Sequence, residues 1–340
     1  LLARVIRDKG AEGRVHIVTK GGMARPGGRW VPDGRKSAIV DDAVASAAAL
    51  DGLAIDTFLL HAPDPAVPFA TSLRALLTVL DRGLARSVGL SNVSRAQLDA
   101  ALDVVPISAV EVALSWFDDK ALAGGVVARC VERGVRVLAH RPLGGAAKKK
   151  TVARDKVLSA LAAKHHADDA RVGNARVALA AVLDLHPSIV ALPGCSSVDS
   201  VNGAVAAAGV SFDDDDRALL APRLSRRAVT GAPPPALRDD GEVVLLMGLQ
   251  GAGKSAAVND WVARGYTRLN RDVVGGTIKG LHALLDATLA GGARRVVLDN
   301  TYLTRALRRG AIDVAWKHQL PVRGQWRDTP LKDAQVNVVL

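Results

Sequence analysis

The residues with the clearest chemical meaning form a glycine-rich segment that ends in a lysine and a serine. The segment GLQGAGKS matches the pattern GxxxxGK[ST], and it lies between the apolar run VVLLM and the helical stretch AAVNDWVAR. Glycines let the backbone curl so that successive N–H groups face a phosphate. In this pattern the lysine neutralises the β and γ oxygens and the serine binds Mg²⁺, so ATP or another nucleotide is the expected ligand. The candidate binding residues are Gly248, Gly251, Ala252, Gly253, Lys254 and Ser255.

Two carboxylates lie further along the same part of the chain, and each follows an apolar run. Asp272 closes the segment LNRD, and Asp299 opens Asp-Asn-Thr after RRVVL. Such a carboxylate can cap a helix. It can also take part in phosphoryl transfer, which depends mainly on positioning and charge neutralisation. The residues alone leave both interpretations open.

The glycine-rich segment, LNRD, DNT and the run from Gln325 to Asn337 together resemble the polynucleotide-kinase-like P-loop kinases. The resemblance implies that Asp272 is the general base that takes the proton from an acceptor hydroxyl. It also implies that Asp299 lies near the metal or the nucleotide, so Ser255 and Asp299 are the candidate Mg²⁺ ligands. The expected fold of this part is the doubly wound parallel α/β domain of P-loop NTPases.

A second set of chemically capable residues lies at the ends of six apolar runs between residues 15 and 207. The runs are VHIVT, IDTFLLH, RSVGLS, ISAVEVA, VRVLAH and IVALPG, with amphipathic stretches between them. This alternation is typical of βα units and a parallel sheet, where site residues lie at the carboxyl ends of the strands. Each end residue, taken alone, is more typical of a structural role. The end residues are Lys20, His61, Ser91, Asn92, Glu111, His140, Pro193 and Gly194.

Taken together, IVTK, DTFLLH, RSVGLSN and VLAHRPLGG resemble the third, fourth, fifth and seventh strand ends of the aldo-keto reductases. The resemblance covers residues 1–225 and implies an incomplete (β/α)8 TIM barrel whose two other strands lie upstream of Leu1. It implies hydride transfer from a nicotinamide to a carbonyl, with a tyrosine as proton donor and a lysine, a histidine and an aspartate assisting. Lys20 and His61 match two of these catalytic residues. The tyrosine and the aspartate would lie in the missing strands.

The same resemblance implies a nicotinamide nucleotide as cofactor. Glu111 stands where the family usually has glutamine, and His140 stands where an aromatic that stacks on the nicotinamide is common. Ser197 and Ala204 replace an arginine and an asparagine that commonly recognise the adenosine end, so NADPH is favoured over NADH only narrowly. The positions that match cofactor-binding residues are Ser91, Asn92, Glu111, His140, Pro193 and Gly194.

The two parts of the chain are joined by the segment RLSRRAVTGAPPPALRDDGE. Three consecutive prolines with flanking glycine and charged residues favour an extended, unpacked linker. We therefore expect a reductase-like barrel at residues 1–225, a linker at 226–240 and a P-loop kinase-like domain at 241–340. We also expect both ends of the chain to be truncated, because it begins within a helical pattern and stops in an apolar-periodic one.

Composition narrows the class of protein further. No apolar run reaches the ~20 residues that a membrane-spanning helix needs, so no membrane association is expected. The two cysteines, Cys130 and Cys195, form no CxxC spacing. They therefore indicate neither a disulfide framework nor a zinc site, and a reducing cytoplasm fits best. Residues 241–340 hold 14 Lys and Arg against 8 Asp and Glu, an excess that attracts phosphate but is equally explained by biased composition.

The leading hypothesis is a bifunctional chain that reduces a small-molecule carbonyl with NADPH or NADH and transfers phosphate from ATP to a hydroxyl acceptor. One alternative is an active P-loop kinase with a non-catalytic barrel that binds nicotinamide nucleotide. Another is a kinase that repairs nucleic acid, whose acceptor would be a 5′ end. Salt-sensitive oligonucleotide binding would favour this last function.

Overall fold

The fold comes from a computed structural model, which describes residues 1–165, 170–230, 237–302, 305–330 and 333–335. The chain forms two compact units, Leu1–Gly231 and Ala232–Leu340. Within the described ranges, every helix falls short of the length and apolar character that a bilayer-spanning segment needs.

The first unit is built on a parallel sheet of six strands, in the order β1-β4-β5-β6-β7-β8. The predicted strands are confirmed, and a short antiparallel hairpin, β2 with β3, follows β1. The strands are β1 Val18–Gly21, β2 Met23–Ala24, β3 Val31–Pro32, β4 Thr57–Leu60, β5 Ser87–Ser91, β6 Ile107–Ala113, β7 Arg136–His140 and β8 Ile189–Leu192.

Helices connect these strands as the alternating pattern predicts. One face of the sheet packs against the helices in a large apolar cluster, while Leu59, Ala109 and Leu138 form a small cluster on the opposite face. The sheet curls like part of a barrel, which confirms the predicted incomplete (β/α)8 architecture. The helices are α1 Leu2–Asp8, α2 Lys36–Ala49, α3 Phe69–Asp81, α4 Arg95–Leu102, α5 Lys120–Ala123, α6 Val126–Glu132, α7 Lys149–Val152, α8 Lys156–Lys164, α9 Ala170–Leu183, α10 Val198–Ala207, α11 Asp214–Leu220 and α12 Arg227–Thr230.

The start of the expected linker differs from the prediction. Residues 227–230 form α12, and Val229 is buried in the large cluster of the first unit, where α12 packs on α5 and α6. An apolar side chain that reaches an existing core is stabilised there by removal from water, so this stretch is not unpacked. The three prolines lie outside the described residues.

The second unit contains a parallel sheet of four strands in the order β10-β11-β9-β12. Alternate residues of β9 face opposite sides: Val243 and Leu245 join one apolar cluster, and Val244 and Leu246 join another. Both faces are therefore covered by helices, which confirms the predicted doubly wound fold. The elements are β9 Glu242–Met247, α13 Lys254–Ala263, β10 Thr267–Asn270, α14 Arg271–Val274, α15 Ile278–Ala290, β11 Arg295–Asp299, α16 Arg305–Lys317 and β12 Val322–Trp326.

Candidate functional site

The glycine-rich segment of the second unit forms the turn between β9 and α13. Gly251 and Gly253 have φ values of 76° and 73°, in the left-handed region that glycine adopts without strain. Gly253 is the N-cap of α13 and supplies no side-chain cap. The N–H groups of the first helical turn therefore point toward the turn, as an anion site at a helix N-terminus requires.

Lys254 lies folded over this turn. Its Nζ donates hydrogen bonds to the carbonyl oxygens of Gly248, at 3.0 Å, and Leu249, at 2.6 Å. Partial burial lowers the pKa of Lys254, and the charges of Asp299 and Asp272 oppose that shift. The fold thus brings the lysine and both predicted carboxylates into one electrostatic neighbourhood.

Asp299 ends β11 and is 2 % exposed. Its Oδ2 accepts hydrogen bonds from Arg268 Nη2 at 2.5 Å and from Asn270 Nδ2 at 2.9 Å. Asn270 Nδ2 also donates to the Asp299 main-chain oxygen at 2.9 Å. These contacts explain how a carboxylate can be buried here, since a buried charge needs a counter-charge and hydrogen bonds.

Asp272 lies in the first turn of α14, and its side chain is exposed. The cap of this helix is Asn270, whose Oδ1 accepts hydrogen bonds from Asp272 N at 2.7 Å and Val273 N at 3.1 Å. The Asp272 carboxylate pairs with Arg271 at 3.0 Å. The alternative in which Asp272 itself caps a helix is therefore wrong, and its carboxylate faces solvent at the same edge as Lys254.

Two residues of this neighbourhood were missed by the sequence reasoning. Arg268 and Asn270 lie on β10, shortly before Asp272. Because β10 pairs with β11 and Asn270 lies opposite Asp299, both side chains reach the Asp299 carboxylate.

Asn300 follows Asp299 and is buried, and its Nδ2 has no hydrogen-bond partner within the described part of the chain. A buried donor without a partner in the protein is a position where a ligand or water can bind.

The predicted Mg²⁺ ligands are the side chains of Ser255 and Asp299. Ser255 is an exposed residue of the first turn of α13, and Asp299 lies near Lys254. Among the described residues there is no group of three or more His, Cys, Asp or Glu side chains suited to a metal. Mg²⁺ is typically held by one or two carboxylates with phosphate oxygens and water, so Ser255 and Asp299 are donors of a suitable type, and the Asp299 carboxylate already accepts from Arg268 and Asn270.

In the first unit a side chain of β1 contacts a side chain of β6, although β4 and β5 lie between the two strands in the sheet. Lys20 Nζ and Glu111 Oε1 form an ion pair, in which the Glu111 side chain is 6 % exposed and that of Lys20 is 30 % exposed. A buried carboxylate without a cation is costly, and Lys20 is the cation that contacts Glu111 here. Glu111 therefore has a partner that the resemblance did not indicate.

Two imidazoles flank this ion pair. Burial lowers the pKa of His61, and the Lys20 charge lowers it further, while Glu111 acts in the opposite direction. Burial likewise lowers the pKa of His140, whose Nε2 is buried with no hydrogen-bond partner in the described residues. Both rings are held in their neutral form at neutral pH, and each can then accept or donate a hydrogen bond.

Ser91 and Asn92 lie between these groups. Asn92 Nδ2 donates to His61 O at 3.0 Å and contacts Ser91 Oγ at 3.1 Å. Asn92 has a φ of 56°, a conformation that asparagine tolerates better than most residues. The structure thus brings Lys20, His61, Ser91, Asn92, Glu111 and His140 to the carboxyl edge of the sheet.

Pro193 and Gly194 follow β8, on the loop that leads into α10. Ser197 caps α10, with its side chain accepting a hydrogen bond from Ser200 N in a capping box. The predicted phosphate-binding loop therefore ends at a helix N-terminus.

A tryptophan that sequence reasoning did not single out lies beside His61. The hairpin after β1 carries Trp30, whose ring centroid is 5.3 Å from that of His61 and whose surface is 61 % exposed. The Arg25 guanidinium lies 3.7 Å from the Trp30 ring centroid. This pair forms an aromatic and cationic surface next to the histidine.

The two units therefore define two classes of protein: an (α/β) barrel with its charged side chains at the carboxyl edge, and a P-loop domain. Residues 1–221 match the model of the aldo/keto reductase family, and residues 243–338 match a model described as an AAA domain. The chain belongs to the aldo/keto reductase family and carries a P-loop domain after the barrel.

Individual relatives agree with the first assignment. An uncharacterized oxidoreductase of Schizosaccharomyces pombe is 28 % identical over 205 residues, which are 60 % of this chain and 64 % of that protein. The chain thus spans less than two thirds of the length of that relative. A glycerol dehydrogenase from Gluconobacter oxydans, 22 % identical, superposes with a TM-score of 0.54 over 69 % of this chain and 79 % of that one. An aldo-keto reductase from Klebsiella pneumoniae in complex with NADPH, 20 % identical, gives a TM-score of 0.54 over 66 % and 74 %.

Proposed function

We propose that the second unit is an ATP-dependent phosphotransferase that acts on a hydroxyl acceptor. The observation that carries this proposal is the strand register, which brings the end of β10 before Asp272, Asp299 at the end of β11 and the glycine-rich turn after β9 to one edge of the sheet. Phosphoryl transfer needs a cation for the phosphate oxygens and a base for the acceptor hydroxyl. These residue types at one sheet edge supply both.

In this function each residue has a separate task. Lys254 and the N–H groups of the glycine-rich turn bind the phosphates, and the exposed Asp272 carboxylate takes the proton from the acceptor hydroxyl. Ser255 and Asp299 would hold Mg²⁺, which would neutralise phosphate charge. The Asn300 amide donates its unpartnered N–H to the bound nucleotide or its water.

We further propose that the barrel binds a nicotinamide nucleotide, NADPH before NADH, and reduces a carbonyl. Ser91 and Asn92 hold the nicotinamide carboxamide, and His140 packs against the ring. Lys20 and His61 belong to the catalytic set, in which neutral His61 can orient a carbonyl by hydrogen bonding. Membership of the aldo/keto reductase family and the NADPH complex of the Klebsiella relative support this assignment.

The ion pair of Lys20 with Glu111 favours a second candidate for the barrel. A lysine neutralised by a buried carboxylate has less positive charge to offer a phenolate than an unpaired lysine. The alternative is a barrel that binds nicotinamide nucleotide without reducing a carbonyl. We also propose residues 231–240 as the junction, because 227–230 pack in the first unit, and the cytoplasm as the location.

The decisive experiment measures ATP consumption with small alcohols, sugars and 5′-hydroxyl oligonucleotides as acceptors. Wild type, Lys254→Ala and Asp272→Asn are compared, with Asp260→Asn, an exposed residue in the second half of α13, as a matched carboxylate control. Acceptor-dependent turnover that is lost in the first two variants and kept in the control supports the phosphotransferase. Turnover that is indifferent to the acceptor and to Asp272→Asn reduces this unit to a nucleotide-binding module.

A further inference from the structure

The Asp299 carboxylate has two protein donors on the same oxygen. Arg268 Nη2 and Asn270 Nδ2 both contact Oδ2, at 2.5 and 2.9 Å. The Asp299 side chain is 3 % exposed, whereas the Arg268 side chain is 33 % exposed. The carboxylate is thus fixed, and its counter-ion reaches it from the solvent side.

The two donors differ in how firmly they are held. Asn270 also caps α14 through its Oδ1 and donates to the Asp299 main-chain oxygen, so its position is set by three further hydrogen bonds. Arg268 contacts Asp299 through one long and partly exposed side chain. Only the arginine can therefore leave the carboxylate without breaking local structure.

A divalent cation at Asp299 would bring two positive charges to a carboxylate that already carries a guanidinium. At contact distances and away from bulk water this like-charge repulsion is strong. The cation and the guanidinium thus oppose each other at one carboxylate.

We propose that Arg268 and a divalent cation compete for Asp299, and that metal loading displaces the guanidinium from the carboxylate. Arg268 lies two residues before the end of β10, and its long side chain extends to Asp299 at the carboxyl edge of the sheet, the edge at which β9 enters the glycine-rich turn. Its planar set of N–H donors is suited to phosphate oxygens, so the exchange moves positive charge from the metal ligand to the nucleotide. The inference rests on the proposed function, because it takes Asp299 as the metal ligand.

The test measures the affinity of the full chain for Mn²⁺, used in place of Mg²⁺, from the EPR signal of the free ion. A saturating non-hydrolysable ATP analogue is present throughout. Arg268→Gln is expected to tighten Mn²⁺ binding about five- to tenfold, because the competing charge is removed. Arg268→Lys, which keeps the charge, is expected to stay within about twofold of wild type.

Arg271→Gln is the matched control. Arg271 lies three residues after Arg268, carries the same charge and pairs with the exposed Asp272 instead of Asp299. Its Mn²⁺ affinity is expected to change less than twofold. An Arg268→Gln affinity that equals the control or is weaker than wild type overturns the competition. Asp299→Asn separates the two proposals: if it leaves Mn²⁺ binding unchanged, the metal assignment itself fails.

If Arg268→Gln does not fold, a second measurement tests whether metal displaces Arg268 from Asp299. The Nε–Hε resonance of Arg268, assigned with Arg268→Lys, is followed in the wild-type chain as Mg²⁺ is added to the analogue complex. A shift that saturates with Mg²⁺ is the expected result. A resonance that does not move while Mg²⁺ binds contradicts displacement.

Discussion

Glu111 is the residue of the first unit with two competing roles. Its carboxylate pairs with Lys20, and it also stands at a position that matches a contact to the nicotinamide amide. A carboxylate accepts hydrogen bonds but cannot donate, whereas a glutamine amide does both. The choice between these partners determines whether Lys20 keeps its full charge toward a substrate.

Glu111→Gln is expected to shift two quantities in opposite directions. Loss of the ion pair should destabilise the first unit by about 1–2 kcal/mol, because the amide still accepts from Lys20 but carries no charge. Affinity for a nicotinamide nucleotide should rise, because the amide can donate and accept. Hydrogen exchange of β6 measures the first quantity, and fluorescence titration with NADPH measures the second.

The control for this prediction is Glu132→Gln. Glu132 is 60 % exposed and pairs with Arg129, so its loss should cost less than about 1 kcal/mol and leave NADPH binding unchanged. Equal effects of the two substitutions would show that the Lys20 pair has no special role.

The two imidazoles of the first unit give a pH prediction. The pKa values of His61 and His140 are lowered mainly by burial, so the folded chain keeps them neutral where the unfolded chain takes up protons. Their contribution to the free energy of unfolding is therefore present above about pH 6.5 and is lost as the pH falls further. Lys20, Glu111, Arg141 and Asp118 are the charged groups that face these rings.

NMR titration of the ring Hε1 resonances, assigned with His61→Gln and His140→Gln, tests this directly. Both resonances are expected to titrate below pH 6.5. Midpoints at or above that value would mean that the rings are solvated or face a stronger negative charge than the fold provides.

At the scale of secondary-structure elements, Asn270 connects two neighbouring strands. It is the last residue of β10, and its side chain donates hydrogen bonds to Asp299 at the end of β11. Asn270→Ala removes the cap of α14 and both hydrogen bonds that Asn270 Nδ2 donates to Asp299. Asn270→Asp keeps an equally good cap but loses the donors and adds a negative charge. Comparing these variants separates the helix from the carboxylate contact.

We expect Asn270→Ala to weaken the amide protection of α14 by about 1 kcal/mol, while Asn270→Asp leaves it nearly unchanged. Acceptor-dependent ATP turnover should fall at least tenfold in both, because both lose the Asp299 contacts. Hydrogen exchange and the coupled ATP assay give the two readouts. Full turnover in Asn270→Asp would show that the donor is dispensable.

The packing of β5 gives a second prediction for an element. A Cβ on Gly89 would lie 2.2 Å from the Ala109 main-chain oxygen and 2.6 Å from Leu59 Cδ2. Gly89→Ala must therefore push apart two neighbouring strands, at a cost of about 3 kcal/mol. Chemical unfolding of the first unit, followed by hydrogen exchange of β4 and β6, measures the loss.

Gly209→Ala serves as the comparison for Gly89. The nearest atom to its added Cβ is the Ala206 main-chain oxygen at 3.6 Å, an ordinary contact. Its effect should stay within about 0.5 kcal/mol. If the Gly89→Ala and Gly209→Ala chains were equally stable, β4, β5 and β6 would have to be spaced more widely than the structure shows.

For the whole molecule, the two units have separate apolar clusters. Cores that share no residues unfold separately unless their interface is large, so calorimetry should resolve two transitions. The ATP analogue with Mg²⁺ should raise only the transition of the second unit, and NADPH only that of the first. Lys254→Ala should remove the first of these shifts and leave the second intact. A single transition that responds to both ligands contradicts this organisation.

The sequence by itself determined the chain order of elements and the chemistry at their ends. Local periodicity predicts the strands that carry Lys20 and Glu111 and the strand that ends just before His61, and the glycine-rich segment predicts the turn before Lys254. These features depend on neighbouring residues and backbone conformation, so no contact between distant segments is needed to predict them. The same reasoning misread residues 227–230, where a buried valine overrides a linker-like composition.

Only the tertiary structure decided which of these residues become partners. Lys20 and Glu111 are 91 positions apart, and Arg268 and Asp299 are 31 apart. Each pair forms because parallel strands bring their carboxyl ends to a common edge in a register that composition does not encode. Whether a carboxylate is buried and which cation compensates it depend on this register, and for that reason the counter-ions of Glu111 and Asp299 emerged from the fold alone.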